Sequence, residues 1–103
     1  MAEQTNKELI IIDTSEPFKN KLLEDILSIN QGHVPLVGSL ENVKDLENLL
    51  KMSFLFAITK ENNEITSFIV CLREGEQYKS LNYAYFSEKY KKFLYIDRIG
   101  VKN

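Results

Sequence analysis

The sequence predicts a single α+β domain. Two observations carry that prediction. Short apolar runs of strand type alternate with stretches that have the 3–4 spacing of amphipathic helices. Polar, turn-forming clusters separate these stretches, and no linker, repeat or low-complexity tract interrupts them. The 103 residues leave room for one core, with about two-thirds of the unfolded surface buried at this size. The order reads strand, helix, helix, hairpin, short helix, strand.

Leu9–Ile12 is four apolar residues in a row, three of them β-branched, and reads as a buried strand. Thr14 or Ser15 is placed to cap a helix with Glu16 and Pro17 in its first turn, positions that favour an acid and a proline. Phe18, Leu22, Leu23, Ile26, Leu27 and Ile29 then form one apolar stripe. Asn30-Gln31-Gly32 stops that helix. His33 to Gly38 reads as a loop, because Pro35 removes a donor and biases Val34 towards extended geometry. Ser39 is placed to cap a second helix, with Leu40, Val43, Leu46, Leu49 and Leu50 on its buried side.

Phe54–Thr59 and Ile65–Leu72 pair as a hairpin across the polar turn Glu61-Asn62-Asn63-Glu64, where asparagine tolerates left-handed backbone. A polar loop from Arg73 to Lys79 and a short helix over Tyr83–Tyr90 follow. Phe93–Val101 is the last strand. Both of its faces are mostly apolar, which predicts a central strand covered on both sides.

Composition excludes several function classes. The chain is 44% hydrophobic and 27% charged, the balance of an ordinary globular domain. No apolar run approaches the roughly 20 residues that span a bilayer, and the polar start is not a signal peptide. Cys71 stands alone, which fits a reducing compartment and hence the cytoplasm. One histidine and one cysteine are too few for a structural zinc site. A nucleophilic triad would have to use His33, beside a loop proline, and the four glycines form no phosphate-binding motif. The net charge of −2 argues against nucleic acid as the main partner.

Two features stand out from this background. Residues 1–87 carry 13 acidic and 8 basic side chains, whereas residues 88–103 carry five basic and two acidic ones. The basic end reads as a solvated helix face with strand flanks. All five tyrosines lie between Tyr78 and Tyr95, together with Phe86 and Phe93; such a cluster builds a core edge or lines a cleft. The carboxylate pairs Glu24/Asp25 and Asp45/Glu47 sit on helices as solvated faces. Asp97 lies inside an apolar strand and needs a partner, as a structural ion pair or as a catalytic base.

Three segments carry a resemblance. They are Asn30-Gln31-Gly32-His33-Val34-Pro35, then Tyr78-Lys79-Ser80-Leu81-Asn82-Tyr83-Ala84-Tyr85-Phe86, then Phe93-Leu94-Tyr95-Ile96-Asp97-Arg98-Ile99-Gly100-Val101. In this order they resemble a bacterial branch of the GNAT superfamily of N-acetyltransferases, over about residues 9–103. The chain departs from that pattern at Ile29, Leu81 and Gly100, where the branch commonly has Leu, Pro and a β-branched residue.

The resemblance implies a mostly antiparallel sheet with helices packed on it, in the order of the first half of the acyl-coenzyme A N-acyltransferase fold. It implies transfer of an acetyl group from acetyl-coenzyme A to a small-molecule or peptide amine. Backbone groups of Ile99, Gly100 and Val101 would hold the pantetheine arm. A small Gly100 leaves backbone accessible, though a β-bulge explains it equally well. Asn30, Val34, Tyr78, Asn82, Tyr83 and Phe86 would wall the acceptor site, with the tyrosines lining a cleft. Asp97 would be the base, while Arg98 faces the other way in an ion pair.

The family's pyrophosphate loop follows its fourth strand, and this sequence ends there, at Lys102-Asn103. The expectation is therefore a truncated domain that binds acetyl-coenzyme A weakly or not at all by itself. Its last strand is an open sheet edge, met by a second copy or by a chain completing the sheet. The alternative is a non-catalytic interaction module on a remnant of the same fold. No nucleic-acid, membrane or metal partner is expected.

Overall fold

A computed structural model describes residues 6–33, 40 and 42–102. Its order is β1 (Lys7–Ile11), α1 (Asn20–Gln31), α2 (Val43–Met52), β2 (Leu55–Glu61), β3 (Glu64–Arg73), α3 (Leu81–Lys89) and β4 (Leu94–Val101). The strands form one sheet in the order β1-β2-β3-β4, and every neighbouring pair is antiparallel. The fold is thus α+β, as the periodicity predicts.

Each end of an element has a local cause. The β2–β3 turn needs left-handed backbone twice, and Asn62 and Asn63 supply it with φ of 53° and 66°. Helix α2 is capped by Asn42, whose side chain accepts from the Asp45 N–H at 2.9 Å. Helix α3 is capped by Ser80, which accepts from the Tyr83 N–H at 3.2 Å.

The start of α1 differs from expectation. Asp13 accepts from both the N–H and the hydroxyl of Ser15, at 2.9 and 2.6 Å. That local turn occupies Ser15, so the helix begins at Asn20, past Pro17, with no side-chain cap. The expected cap Ser39 lies outside the described residues.

The helices lie on one face of the sheet. Leu23, Ile26 and Ile29 of α1 and Leu46, Leu49 and Leu50 of α2 close over Phe56, Ile58, Phe68, Val70 and Leu72. Full burial of such a side chain contributes about 1.5–3 kcal/mol, and this layer is the core.

The two outer strands are less covered than their composition predicts. In β1 the side chains of Leu9 and Ile11 are 73% and 70% exposed, and Ile10 alone of the three turns to the helices. Strand β4 is an edge, not a centre, of the sheet. Among the described residues nothing pairs beyond it, and no helix lies on its second face.

Strand β4 also carries a bulge. Val70 faces Arg98 and Cys71 faces Ile96, so Asp97 is an extra residue without an opposite number. The extra residue resets the alternation of faces. Tyr95, Asp97, Arg98 and Gly100 all turn to the helix side, while Leu94, Ile96, Ile99 and Val101 turn away and stand 52–55% exposed. The expectation that Arg98 faces away from Asp97 is corrected by this bulge.

Candidate functional site

The bulge assembles a buried polar cluster. The Arg98 Nε donates to Asp97 Oδ2 at 2.7 Å, and the two side chains are 6% and 5% exposed. One guanidinium nitrogen donates to Asn30 Oδ1 at 2.9 Å, near the end of α1. The other donates to the Tyr78 hydroxyl at 3.3 Å. Burial pushes the Tyr78 phenol up to about 12, helped by its hydrogen bond to Asp97 and opposed by Arg98. Burial works against the charge on Arg98, but the hydrogen bonds and charge of Asp97 and Tyr78 together outweigh it and hold the guanidinium above its usual range. Three residues that the resemblance singles out, Asn30, Tyr78 and Asp97, therefore meet around a fourth.

The remaining expected site residues separate. Tyr83 is a core residue, 2% exposed; its hydroxyl donates to the Arg73 carbonyl at 2.6 Å and accepts from the Glu76 N–H at 3.0 Å. Its ring meets those of Tyr78, Phe93 and Tyr95 edge-on at 5.4–5.7 Å. The tyrosines thus build a core edge around Tyr83 and do not line an open cleft there. Phe86 lies at the exposed rim of the cluster, stacked on Tyr90 with ring centres 6.0 Å apart. Asn82 is exposed on α3, and Val34 lies outside the described residues.

The end of β4 turns backbone to the open edge at two positions, not three. Lys102 N–H donates to Thr66 of β3, so strand alternation turns the backbone of Ile99 and Val101 to the open edge. Gly100 pairs with Phe68, and a Cβ there would strike Phe68 Cε1 and lie 3.1 Å from Ile29 Cγ2. Its small size admits the Phe68 ring and does not open backbone to a cofactor. At Val101 the edge is already met: His33 Nε2 lies 3.1 Å from the backbone N and 2.6 Å from the backbone O.

A groove of about 800 Å³ begins at this point and runs between α1 and the sheet. Ile10, Ile12, Phe18, Leu22, Ile58 and Ile65 contribute apolar walls, and His33, Val101 and Lys102 stand at one end. Charges of both signs surround it, including the ion pairs Lys21–Asp25 at 2.9 Å and Lys102–Glu64 at 3.4 Å. The groove has the size of a small-molecule site. It does not include Asp97, Arg98 or Tyr78, so this groove and the buried Asp97–Arg98 cluster are different places.

Sequence reasoning missed Arg98 as the centre of the cluster and His33 as the cover of Val101. The signal for the first is present in the chain: two adjacent charges in an apolar strand share one buried face only if the strand bulges between them. Among the described residues no group of histidine, cysteine and carboxylate side chains could hold a metal ion, and no helix is long and apolar enough to cross a membrane.

No protein-family model matches the chain, nor does any curated protein or any solved structure.

Proposed function

We propose that this chain is one half of a GNAT-type N-acetyltransferase domain, moving an acetyl group from acetyl-coenzyme A to a small-molecule or peptide amine in the cytoplasm. The observation that carries this reading is the order β1-α1-α2-β2-β3-α3-β4 in one antiparallel sheet that ends on an open strand. The resemblance puts the pantetheine arm on that edge, where Ile99 turns its backbone outward and His33 already meets the backbone of Val101. A chain or strand that completes the sheet at β4 belongs to the same reading.

In the reaction the amine nitrogen attacks the thioester carbonyl. The C–N bond forms, the C–S bond breaks, and coenzyme A leaves as its thiolate. A backbone N–H steadies the oxyanion, and Asp97 or a water takes the amine proton. For Asp97 to do so the amine must reach a carboxylate that is 5% exposed and held by Arg98 at 2.7 Å. That enclosure favours a second reading, a non-catalytic interaction module on the same fold.

Calorimetry with acetyl-coenzyme A separates the readings, on the chain alone and on the chain extended by whatever its gene encodes past Asn103. The expected result is weak or no binding by the chain alone. The extended chain should carry Arg/Gln-x-x-Gly-x-Gly/Ala, bind the cofactor and acetylate an amine. Low-micromolar binding by the chain alone would refute the need for that loop. A gene that stops at Asn103, with no binding in any assembly, overturns the enzyme and leaves the module.

A further inference from the structure

The outer edge of β4 turns two backbone N–H groups away from β3, those of Ile99 and Val101. The residues between and after them, Gly100 and Lys102, take their hydrogen bonds from β3. The Ile99 N–H has no partner among the described residues. The Val101 N–H has one, and it comes from 68 residues away: the imidazole of His33, just past the end of α1. Backbone groups on an open edge invite pairing, and a side chain that occupies them closes the edge from within the chain.

Both contacts converge on one ring nitrogen. Nε2 lies 3.1 Å from the Val101 backbone N and 2.6 Å from its carbonyl O. One nitrogen cannot serve both at once. Bare, it accepts from the N–H and gives nothing to the carbonyl. Carrying a proton, it donates to the carbonyl and no longer accepts. The ring already reaches both groups, so the proton alone decides which of them is held. Histidine is the side chain that changes charge between about pH 5 and 8.

We infer that His33 is a proton-operated latch on the β4 edge: the neutral ring, bare at Nε2, holds the Val101 N–H, and the imidazolium releases it and holds the carbonyl instead. In acid the edge then offers two N–H groups, at Ile99 and Val101, to an extended chain that brings carbonyl oxygens. With the ring neutral it offers only the first. Whatever chain completes the sheet at β4 competes with His33 for the same N–H.

The surroundings leave the choice to the ring. Charged side chains that share its groove are Lys102 beyond β4, Lys60 and Glu64 of the hairpin, and Lys21 and Asp25 of α1, with Asp13, Glu16 and Lys19 ahead of α1. Lys102 pairs with Glu64 at 3.4 Å and Lys21 with Asp25 at 2.9 Å. Asp97 and Arg98 of β4 hold each other, and Arg98 holds Asn30 in the last turn of α1. Among the described residues no carboxylate bonds the His33 ring, so none fixes a proton on it.

The latch lies within the chain and does not rest on acetyl transfer. NMR of the nitrogen-15-labelled chain tests it, at about pH 5 and about pH 8. At the higher pH the ring nitrogen shifts should show Nε2 bare and the proton on Nδ1. There the Val101 amide should exchange with water about fivefold more slowly than its intrinsic rate, the effect of one ordinary hydrogen bond. At the lower pH that protection should vanish. Ile99, on the same edge, should exchange freely at both.

His33→Phe should leave Val101 unprotected at either pH. A ring protonated on Nε2 at the higher pH overturns the proposal, since its role would not change with charge. So does Val101 protection that is the same at both pH values, or that survives His33→Phe. Protection of Ile99 together with Val101 in both proteins marks a strand already paired on the edge, and overturns it too.

Discussion

Gly100→Ala is the sharpest probe of how β4 meets the core. The added Cβ would run into Phe68 Cε1 and press on Ile29 Cγ2 at 3.1 Å. Phe68 is 2% exposed, so its ring yields only by pushing on the core, whereas Ile29 also lines the groove beside α1. Overpacking of this kind costs about 1–3 kcal/mol. Against it, alanine restricts the unfolded chain and returns about 0.4–1 kcal/mol. The net expectation is a loss of about 1–2 kcal/mol, with each kcal/mol lowering the melting temperature by about 4–8 °C for a chain of this size. Urea unfolding at fixed protein concentration should show a lower midpoint and an unchanged slope. On a Phe68→Leu background the same change should cost less, with a coupling of about 1 kcal/mol. A neutral or stabilising Gly100→Ala would mean that the Phe68 ring does not fill the space over Gly100.

Two further outcomes test the buried cluster. Arg98→Met leaves the Asp97 carboxylate without its cation and should cost about 3–5 kcal/mol in urea unfolding, with part of the loss recovered in Asp97→Asn/Arg98→Met. A loss under about 1 kcal/mol would place the pair in contact with water. Tyr78 should ionise only near pH 12 in the folded chain, against an ordinary value of 10.0. The folded state holds that proton more tightly than the unfolded state, so this stability is whole below pH 10 and falls between pH 10 and about 12. An alkaline titration of tyrosinate absorbance should lose its latest step in Tyr78→Phe, and an unchanged curve would remove Tyr78 from the cluster.

Local chemistry made most elements legible. The apolar stripe of α1 has the helical period, so Leu23, Ile26 and Ile29 belong to the core wherever that helix docks. The Asn62-Asn63 turn follows from which side chains accept positive φ. The boundaries failed where two local solutions compete: Ser15 serves as well in a turn with Asp13 as at a helix cap. Of the candidate site, Asp97 was legible because a carboxylate in an apolar run demands a partner. Tyr83 was not, since a tyrosine in a core and one in a cleft have the same sequence signature.

The sequence by itself determined the identity and order of the elements and the need to satisfy a buried charge near the end of the last strand. Those follow from periodicity and desolvation, which act over a few residues. The tertiary structure alone decided three things. It placed Asp97 and Arg98 on one face, because a bulge is a property of the pairing between β3 and β4. It filled the space over Gly100 with Phe68, because their proximity depends on strand register. Among the described residues it left the second face of an apolar strand uncovered, because a strand's composition records that it needs burial and not what buries it.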